Sequence, residues 1–372
     1  MSTVAVRQPL GLRRVLLTGL LLAGAAVIVT TMVVESPTAR FGWDFRYQYF
    51  PGAERVADGL PLYLAPDDPT LPEALDDVTA YVYPPQLAVA LAPFAGVSVD
   101  IATAFALVAS LLALVGTLAV VGVRDVRCYA AVFAWWPTWT ALAVVNLTSF
   151  LALAVALAWR FRATLWPLAV TLGLAVSTKI FLWPVFVWLV AMRRLRAAAA
   201  ALVIGIGSTL GAWAVIGFQG FADYPALLRK LADTHYDDSY SIAGMAAALR
   251  LDPTVGRGLT LVVGGALLVW CVRLARERDD FRAFTCALLA SMALTPIVWQ
   301  HYILLLLAPL ALVRPRFSVI WLLPILLWVN PAEGNGHGVQ PFLPALVTVC
   351  LAVVILGRPR AETSRVAAES LG

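Results

Sequence analysis

Apolar residues occupy most of the chain in long runs separated by short polar segments. A run at 13–34 is followed by a polar stretch at 35–84, a short apolar piece from Gln86 to Val97, and a full-length run at 99–123. Ten further apolar runs lie at 128–145, 147–159, 163–178, 180–192, 197–218, 258–276, 283–299, 302–313, 317–330 and 341–357. Because about 20 mainly apolar residues cross a bilayer as one helix, the pattern predicts an all-α, polytopic membrane protein.

The arginines indicate how the chain is threaded. They fall in clusters at every second junction between apolar runs, and cytoplasmic loops are the ones enriched in basic residues. The clusters are Arg7/Arg13/Arg14, Arg124/Arg127, Arg160/Arg162, Arg193/Arg194/Arg196, Arg273/Arg276/Arg278/Arg282, Arg314/Arg316 and Arg358/Arg360. About twelve crossings with both termini in the cytoplasm satisfy all of them. If residues 86–97 also crossed the membrane, as a thirteenth span, every later arginine cluster would lie on the outer side. Residues 86–97 are therefore predicted to be a re-entrant or surface helix.

Several runs are too short to cross the hydrocarbon alone, and prolines lie in or near them. Broken helices that meet at a polar cavity would explain both features. We expect one transmembrane domain over 1–360, a cytoplasmic tail at 361–372, and outer segments at 35–84, 219–257 and 331–340. The first two outer segments are large and rich in Asp, Tyr and Pro.

Composition narrows the class of protein. Hydrophobic residues make up 61% of the chain and charged residues only 13%, against about a quarter in soluble domains. The arginine clusters follow the topology, so the net charge of +5 indicates membrane lipids as partners and no nucleic acid. The four cysteines lack metal-ligand spacing, and no sequence feature requires a metal or cofactor.

The first outer segment contains a candidate general base. Asp44 follows the first span by about ten residues and sits among aromatic residues, including Tyr47, that suit the membrane interface. A carboxylate between a dry membrane and water can have its pKa adjusted for proton abstraction. The alternative is a structural carboxylate paired with Arg40 or Arg46.

Two polar residues interrupt the apolar runs. Lys179 is one of only two lysines, and it lies at a predicted outer turn, against the positive-inside pattern. A cation inside the membrane is costly without an anionic partner, so we expect one near Lys179. The alternative is that the Lys179 side chain snorkels to the outer surface. Asn146 is interpreted either as a helix cap at an outer turn or as an amide that lines a cavity.

Further candidates come from the ends of the outer segments. Tyr83, before Pro84 and Pro85, is either part of a structural corner or a hydrogen-bond donor to a sugar or phosphate. Ser239 and Ser241 belong to a polar stretch suited to a polyol. His301, in Pro-Ile-Val-Trp-Gln-His, would contact phosphate or carry a proton, or would be an interfacial residue with its hydrogen bonds satisfied. His337 is interpreted as a flexible loop residue.

Together these segments resemble the polyprenol-phosphate-mannose-dependent mannosyltransferases of the C-type (GT-C) glycosyltransferase superfamily, in particular bacterial α-1,2-mannosyltransferases of phosphatidylinositol mannosides and lipoglycans. The resemblance covers about residues 35–310. It rests on Asp44-Phe45-Arg46-Tyr47, residues 59–63, Tyr83-Pro84-Pro85, Lys179, residues 239–244 and residues 296–302. Two departures are Val145-Asn146, where Gly-Gln commonly precedes the Asn, and Gln300, which replaces an acidic residue.

The resemblance implies a GT-C-type bundle and an inverting transfer of mannose. The donor would be a polyprenyl-phosphate-mannose that acts as co-substrate, and the acceptor a glycolipid or lipoglycan on the outer side of the plasma membrane. Asp44 would be the base, and Lys179 and His301 would offset the phosphate charge. Tyr47, Tyr83, Asn146, Ser239 and Ser241 would bind substrate.

Two alternatives remain at this point. An arabinosyl- or other pentosyltransferase of the same architecture would use the same chemistry. A transporter or flippase for a lipid-linked sugar would also need a multi-pass bundle, and inverted repeats would favour it; none is detected in the sequence.

Overall fold

Helices form all the regular secondary structure that the computed structural model describes, namely residues 18, 19, 24, 41–329 and 340–357. A π-helix spans Phe45–Tyr49, and 3₁₀-helices span Ala92–Phe94, Ile180–Leu182, Gln300–Leu306 and Val319–Val329. The α-helices are α1 (Phe50–Ala57), α2 (Leu71–Asp76), α3 (Gln86–Leu91), α4 (Val99–Val120), α5 (Val126–Phe133), α6 (Trp136–Ala143), α7 (Thr148–Arg160), α8 (Leu165–Thr178), α9 (Pro184–Ala191), α10 (Leu195–Val215), α11 (Tyr224–Thr234), α12 (Ile242–Ala248), α13 (Pro253–Arg276), α14 (Asp280–Leu294), α15 (Leu307–Val313) and α16 (Phe342–Leu356). The predicted all-α class is therefore confirmed.

Three of these helices, α4, α10 and α13, are long and apolar enough to cross a membrane by themselves. The pair α6 and α7 passes the same test together but is bent by 119° at the break between them. The remaining apolar helices are shorter, so the number of crossings, about twelve, stays a prediction. Apart from residues 18, 19 and 24, the predicted first span lies outside the described residues, and so do the loop at 331–339 with His337 and the tail from Arg358 onward.

Prolines explain where the apolar runs break. Pro137 begins a new helix inside the predicted run 128–145, because proline fits the first turn of a helix but not its interior. Pro184 likewise opens α9 after a short 3₁₀ turn. The predicted run 283–299 ends early, since α14 stops at Leu294 and Thr295 is extended. The expected broken helices are thus present.

Glycines allow two of the apolar helices, α8 and α10, to approach closely. A Cβ atom on Gly173 would lie 2.7 Å from the carbonyl oxygen of Ala201, and one on Gly205 would lie 3.1 Å from the carbonyl oxygen of Gly173. Close backbone contact of this kind is typical of helix pairs in membranes, where small residues form the interface. The contact fixes α8, whose end carries Lys179.

The two predicted outer loops pack against each other rather than extending separately. The Tyr224 hydroxyl donates to the carbonyl of Val82 at 3.0 Å, and the Lys230 ammonium donates to the carbonyl of Pro66 at 2.7 Å. A small apolar core lies between the loops, with Tyr63 stacked on Trp213 at a centroid distance of 5.1 Å. A much larger core unites the apolar helices. The predicted single domain is compatible with this packing and stays a prediction.

The short helix predicted at 86–97 is present as α3 and the 3₁₀ turn that follows it. Its first residue, Gln86, donates to the carbonyl of Ser177 at 3.0 Å and to the hydroxyl of Thr209 at 2.7 Å. These bonds attach the first loop to α8 and α10. The carboxyl end of α8 therefore lies beside the base of both loops.

Candidate functional site

The candidate site lies where the first loop meets the turn between α6 and α7. The amide of Gly42 donates to the carbonyl of Ala143 at 2.6 Å, and the amide of Asp44 donates to the carbonyl of Val144 at 3.1 Å. The carbonyls at a helix C-terminus lack partners within the helix, so the loop supplies donors for them. This pairing places the Asp44 side chain next to Asn146, which follows in the same turn.

Asp44 is 8% exposed and is held by neutral hydrogen-bond donors. Its Oδ2 accepts hydrogen bonds from the Asn146 amide and, at 3.4 Å, from the Tyr49 hydroxyl. Arg46 instead forms a salt bridge with Asp100 at 2.7 Å. The alternative that Arg46 neutralises Asp44 is therefore wrong, and Arg40 lies outside the described residues.

Asn146 connects the carboxylate to a cation. While its amide nitrogen donates to Asp44, its Oδ1 accepts from the backbone and hydroxyl of Thr148, at 2.9 and 2.7 Å, and from the Lys179 ammonium at 3.4 Å. The side chain thus satisfies donors at the start of α7, as the cap interpretation predicted, and it belongs to a buried group of polar residues. That the amide lines a cavity stays a prediction. The preceding residue, Val145, has a φ of +52°, which is strained for a β-branched side chain.

Lys179 points into the protein and does not snorkel. It is 6% exposed, and its ammonium also contacts the Tyr302 hydroxyl at 3.4 Å. The ammonium lies 4.9 Å from the centre of the Tyr302 ring and 5.4 Å from that of Tyr83, distances at which a ring face attracts a cation. We call the group Asp44, Tyr49, Tyr83, Asn146, Lys179 and Tyr302 the polar cluster.

Tyr83 joins the polar cluster through its hydroxyl, which lies 3.2 Å from that of Tyr49. Its backbone carbonyl accepts from the Tyr63 hydroxyl at 2.8 Å, so it also forms the structural corner. Tyr47, by contrast, packs on Trp43 with a centroid distance of 4.4 Å. The tyrosine hydroxyl that donates to Asp44 is that of Tyr49, and the predicted role of Tyr47 in substrate binding stays a prediction.

Ser239 and Ser241 hold loop structure together. Their hydroxyls lie 2.8 Å apart; Ser239 donates to the carbonyl of Pro296 at 3.3 Å, and Ser241 accepts from the amide of Gly244 at the start of α12. These bonds satisfy both hydroxyls, and the bond to Pro296 attaches the second loop to the segment that follows α14. The described contacts do not join either serine to the polar cluster, and their predicted role in substrate binding stays a prediction.

His301 lies next to the polar cluster, beside Tyr302. Its ring is 4% exposed and 5.2 Å from the ring of Tyr302. Among the described residues, neither ring nitrogen of His301 and neither amide atom of Gln300 has a hydrogen-bond partner. A buried polar group without a partner is costly, and the described residues supply none of the hydrogen bonds that a satisfied interfacial histidine requires. The role of His301 toward phosphate or a proton stays a prediction.

An apolar cavity of about 830 Å³ begins at Gln300 and continues along α13, α14 and α16. Trp299 and Tyr240 also line it, and its lining follows α16 from Phe342 to Leu356. With a rise of about 1.5 Å per residue, α16 alone is about 22 Å long. The cavity therefore has the length and the lining to hold a lipid chain.

Burial controls the acidity of Asp44. Removal from water raises the pKa of Asp44 above its ordinary value, because the charged form loses its hydration. The Asn146 hydrogen bond, the Lys179 charge and the Tyr49 hydrogen bond act in the opposite direction and do not fully offset this effect. A carboxylate with a raised pKa is a stronger base once it is ionised.

Sequence reasoning missed Tyr49 and Tyr302 as parts of the site. In a regular α-helix Asp44 would share a face with Tyr47 or Gln48, three and four positions later. The π-helix Phe45–Tyr49 instead brings Tyr49, five positions later, next to Asp44. No pattern in the residues announces that change. Tyr302, in contrast, directly follows His301 and could have been found as its neighbour. Within the described ranges, no three His, Cys, Asp or Glu residues come together as a metal site.

Comparison with known proteins identifies the family. Residues 81–299, more than half of the chain, match the sequence profile of Glycosyltransferase family 87. The chain belongs to this family. It is therefore a glycosyltransferase, as the resemblance predicted, and the transporter alternative loses its support. The matched residues include Tyr83, Asn146 and Lys179, while Asp44 and His301 flank the match and reach the site through the fold.

One curated relative gives more detail. The chain is 26% identical over 317 residues, covering 75% of this chain and 67% of the relative, to a polyprenol-phosphate-mannose-dependent alpha-(1-2)-phosphatidylinositol mannoside mannosyltransferase of Mycolicibacterium smegmatis. No solved structure matches this chain.

Proposed function

We propose that this family 87 enzyme transfers mannose from a polyprenyl-phosphate-mannose to a hydroxyl of a mannoside glycolipid or lipoglycan. The name of the M. smegmatis relative supports the donor and the kind of acceptor. The observation that carries the proposal is the polar cluster, in which one amide, Asn146, links a buried carboxylate to a buried ammonium. The transfer needs these two charges: a base for the acceptor and a cation for the donor phosphate.

In this mechanism Asp44 removes the proton from the acceptor hydroxyl while the hydroxyl oxygen attacks the anomeric carbon of mannose. The bond between that carbon and the phosphate oxygen breaks, and polyprenyl phosphate leaves with the electron pair. The single displacement inverts the anomeric centre, so a β-linked donor gives an α-mannoside. A phosphate leaving group needs no general acid, which agrees with a site built around one carboxylate.

Lys179 and His301 are proposed to receive the phosphate. Charge that develops on a leaving group is stabilised most by donors fixed in advance in a site shielded from water. The Lys179 ammonium and the single N–H of a neutral His301 ring are donors of this kind, and both residues contact Tyr302. The adjoining apolar cavity would take the polyprenyl chain, with Gln300 at the boundary between chain and head group.

The proposal includes the orientation and the wider architecture. A GT-C-type bundle of about twelve spans would have both termini in the cytoplasm and the polar cluster near the outer face of the plasma membrane. The arginines at the opposite ends of α7 and α8 support this orientation through the positive-inside rule.

Transfer measured with purified enzyme and labelled donors tests the function. With polyprenyl-phosphate-mannose and phosphatidylinositol mannosides extracted from a bacterial envelope, we expect transfer of mannose, and little transfer from polyprenyl-phosphate-arabinose. Preference for the pentose donor would support the pentosyltransferase instead, and no transfer from any lipid-linked sugar would refute the proposal.

The two lysines provide a matched pair of variants for the donor site. Lys179→Ala should raise the KM for the lipid donor at least tenfold, because a hydrogen-bonded charge in a buried site is lost. Lys230→Ala removes the other lysine, which is exposed and bonded to the carbonyl of Pro66, and should leave the KM within twofold. Equal effects of the two variants would remove Lys179 from the donor site.

A further inference from the structure

A second charged site lies at the far end of the helices that carry the polar cluster. A pocket of about 400 Å³ is lined by four arginines, Arg162, Arg193, Arg194 and Arg196, together with Thr164 and apolar residues from the first turns of α8 and α10. The helix α8 starts beside this pocket at Leu165 and ends before Lys179. Its 14 residues correspond to about 21 Å, so the pocket and the polar cluster occupy opposite ends of one helix.

Only part of the arginine charge is neutralised within the protein. Asp280 forms two hydrogen bonds with Arg194, at 2.8 and 2.6 Å, and a longer ion pair with Arg162 at 3.6 Å. It also accepts from the Trp188 indole at 2.8 Å, so its acceptor capacity is largely used. Arg193 and Arg196 are exposed, and no carboxylate among the described residues pairs with them. Within the described part of the chain, the pocket thus presents two guanidinium groups paired with Asp280 and two without a carboxylate partner.

The surroundings of the pocket match the boundary between lipid head groups and lipid chains. Trp166 is 65% exposed and Leu195 is 59% exposed, one on each helix just beyond the arginines. Exposed Trp and Leu beside basic residues are typical of a membrane interface. The close glycine contact between α8 and α10 gives both walls of the pocket a fixed separation.

The positive-inside rule by itself does not account for this arrangement. That rule explains why basic residues lie at a junction. It does not explain why they line a concave pocket or why a carboxylate, Asp280, orients two of them. Arg314 and Arg316 meet the rule at another junction simply as exposed residues. Guanidinium groups bind phosphate with two parallel hydrogen bonds, which makes a phosphate the best-matched occupant.

We propose that this pocket binds the phosphate of an anionic membrane lipid, such as phosphatidylglycerol, at the membrane face opposite the polar cluster. Arg193 and Arg196 hold the phosphate, the Arg162–Asp280–Arg194 group forms the base of the pocket, and Trp166 and Leu195 lie against the acyl chains. Basic pockets between membrane helices bind anionic lipid head groups in this way.

Lipid titration of the purified full-length protein, read by native mass spectrometry, tests the site. Wild type should bind phosphatidylglycerol at least tenfold more tightly than phosphatidylcholine. The double variant Arg193→Gln/Arg196→Gln should lose about 25-fold in phosphatidylglycerol affinity, because each arginine near an anionic lipid contributes roughly fivefold. Its phosphatidylcholine binding should not change.

The matched control is Arg314→Gln/Arg316→Gln, which removes the same charge from another junction and should alter phosphatidylglycerol affinity by less than threefold. Equal losses in the two double variants would show a diffuse charge effect and overturn the pocket. Displacement of bound phosphatidylglycerol by 10 mM inorganic phosphate would assign the site to a soluble anion and overturn the lipid. If the double variant unfolds below the wild-type temperature, Arg196→Gln alone should still lose about fivefold.

Discussion

A single amide organises the charges of the polar cluster. Asn146 uses its nitrogen for Asp44 and its oxygen for Lys179 and Thr148, so the carboxylate and the ammonium are linked without forming a direct salt bridge. A carboxylate locked to a lysine would be a weaker base and less available to a substrate hydroxyl. The arrangement therefore keeps the charge of Asp44 stabilised while leaving it free to accept a proton.

The sequence predicted Tyr47 as a site residue, whereas the structure places Tyr49 next to Asp44. Substitution of each tyrosine tests which of the two contributes. Tyr49→Phe should lower kcat about three- to tenfold, since it removes a hydroxyl 3.4 Å from Asp44 and hydrogen bonds to charged groups contribute roughly 1.5–3 kcal/mol when well formed. Tyr47→Phe should stay within twofold of wild type. Steady-state kinetics at saturating donor measures both, and the reverse order would contradict the described network.

The pH dependence of transfer tests the environment of Asp44. Activity should rise with pH as Asp44 ionises, with a midpoint above the ordinary value of 3.8, because burial raises the pKa of this group. In Lys179→Ala the midpoint should move further upward, because a cation that favours the charged form is lost. The profile of kcat at saturating donor is the measurement, and a downward shift in the variant would be inconsistent with this electrostatic coupling.

At the residue scale, the sequence was informative where polar residues interrupt apolar runs. Asp44, Asn146, Lys179 and Tyr83 stand out in that way, and the structure brings them together. Ser239 and Ser241 looked equally polar, but their hydroxyls are used inside the loop. Polarity alone cannot separate these cases, because partners distant in the chain decide which hydroxyls are already satisfied.

At the element scale, proline and glycine positions determine how the helices break and how closely they pack. Prolines were sufficient to predict broken helices, but not the 119° bend between α6 and α7. That bend depends on the first loop, whose amides at 42 and 44 satisfy carbonyls at the end of α6. Pairings between segments about a hundred residues apart leave no periodic signal in the sequence.

Two glycine substitutions test the contact between α8 and α10. Gly173→Ala should lower the thermal unfolding midpoint, because its Cβ would lie 2.7 Å from the Ala201 carbonyl oxygen and overpacking typically costs about 1–3 kcal/mol. Gly207→Ala has nothing within 4 Å of its Cβ and should be neutral or stabilising, by about 0.5–1 kcal/mol. Unfolding followed by a thiol-reactive dye in detergent compares them, and equal midpoints would contradict the close contact.

At the scale of the whole molecule, α7 and α8 connect two polar ends. One end has the polar cluster and the packed loops, and the other has the arginine pocket. The arginine pattern in the sequence predicted that these two ends lie apart, because the positions of the basic junctions alone divide the chain into two sides. The number of crossings does not follow from the same pattern, because several apolar helices are shorter than one full span and the pair α6 and α7 is bent by 119°.

Cysteine labelling tests the orientation of the whole molecule. In a background with the four native cysteines replaced, Asp67→Cys should react with an impermeant maleimide added outside the cell, because it lies in the first loop and is exposed. Arg278→Cys, which is exposed after α13, should react only after the membrane is permeabilised. The reverse pattern would place the polar cluster on the cytoplasmic side.

The activity of Asp44→Asn tests the central claim most directly. The substitution keeps the size of the side chain and its acceptor for the Asn146 amide, but it cannot take a proton from the acceptor hydroxyl. General-base catalysis commonly contributes about 10²–10⁴-fold, so mannose transfer by purified Asp44→Asn should fall by that order, while Asp67→Asn in the exposed loop serves as the control. Binding of the lipid donor should persist, and the unfolding midpoint in detergent is measured beside it to confirm that the variant is folded. Transfer by Asp44→Asn at a rate near that of wild type would contradict the assignment of Asp44 as the base.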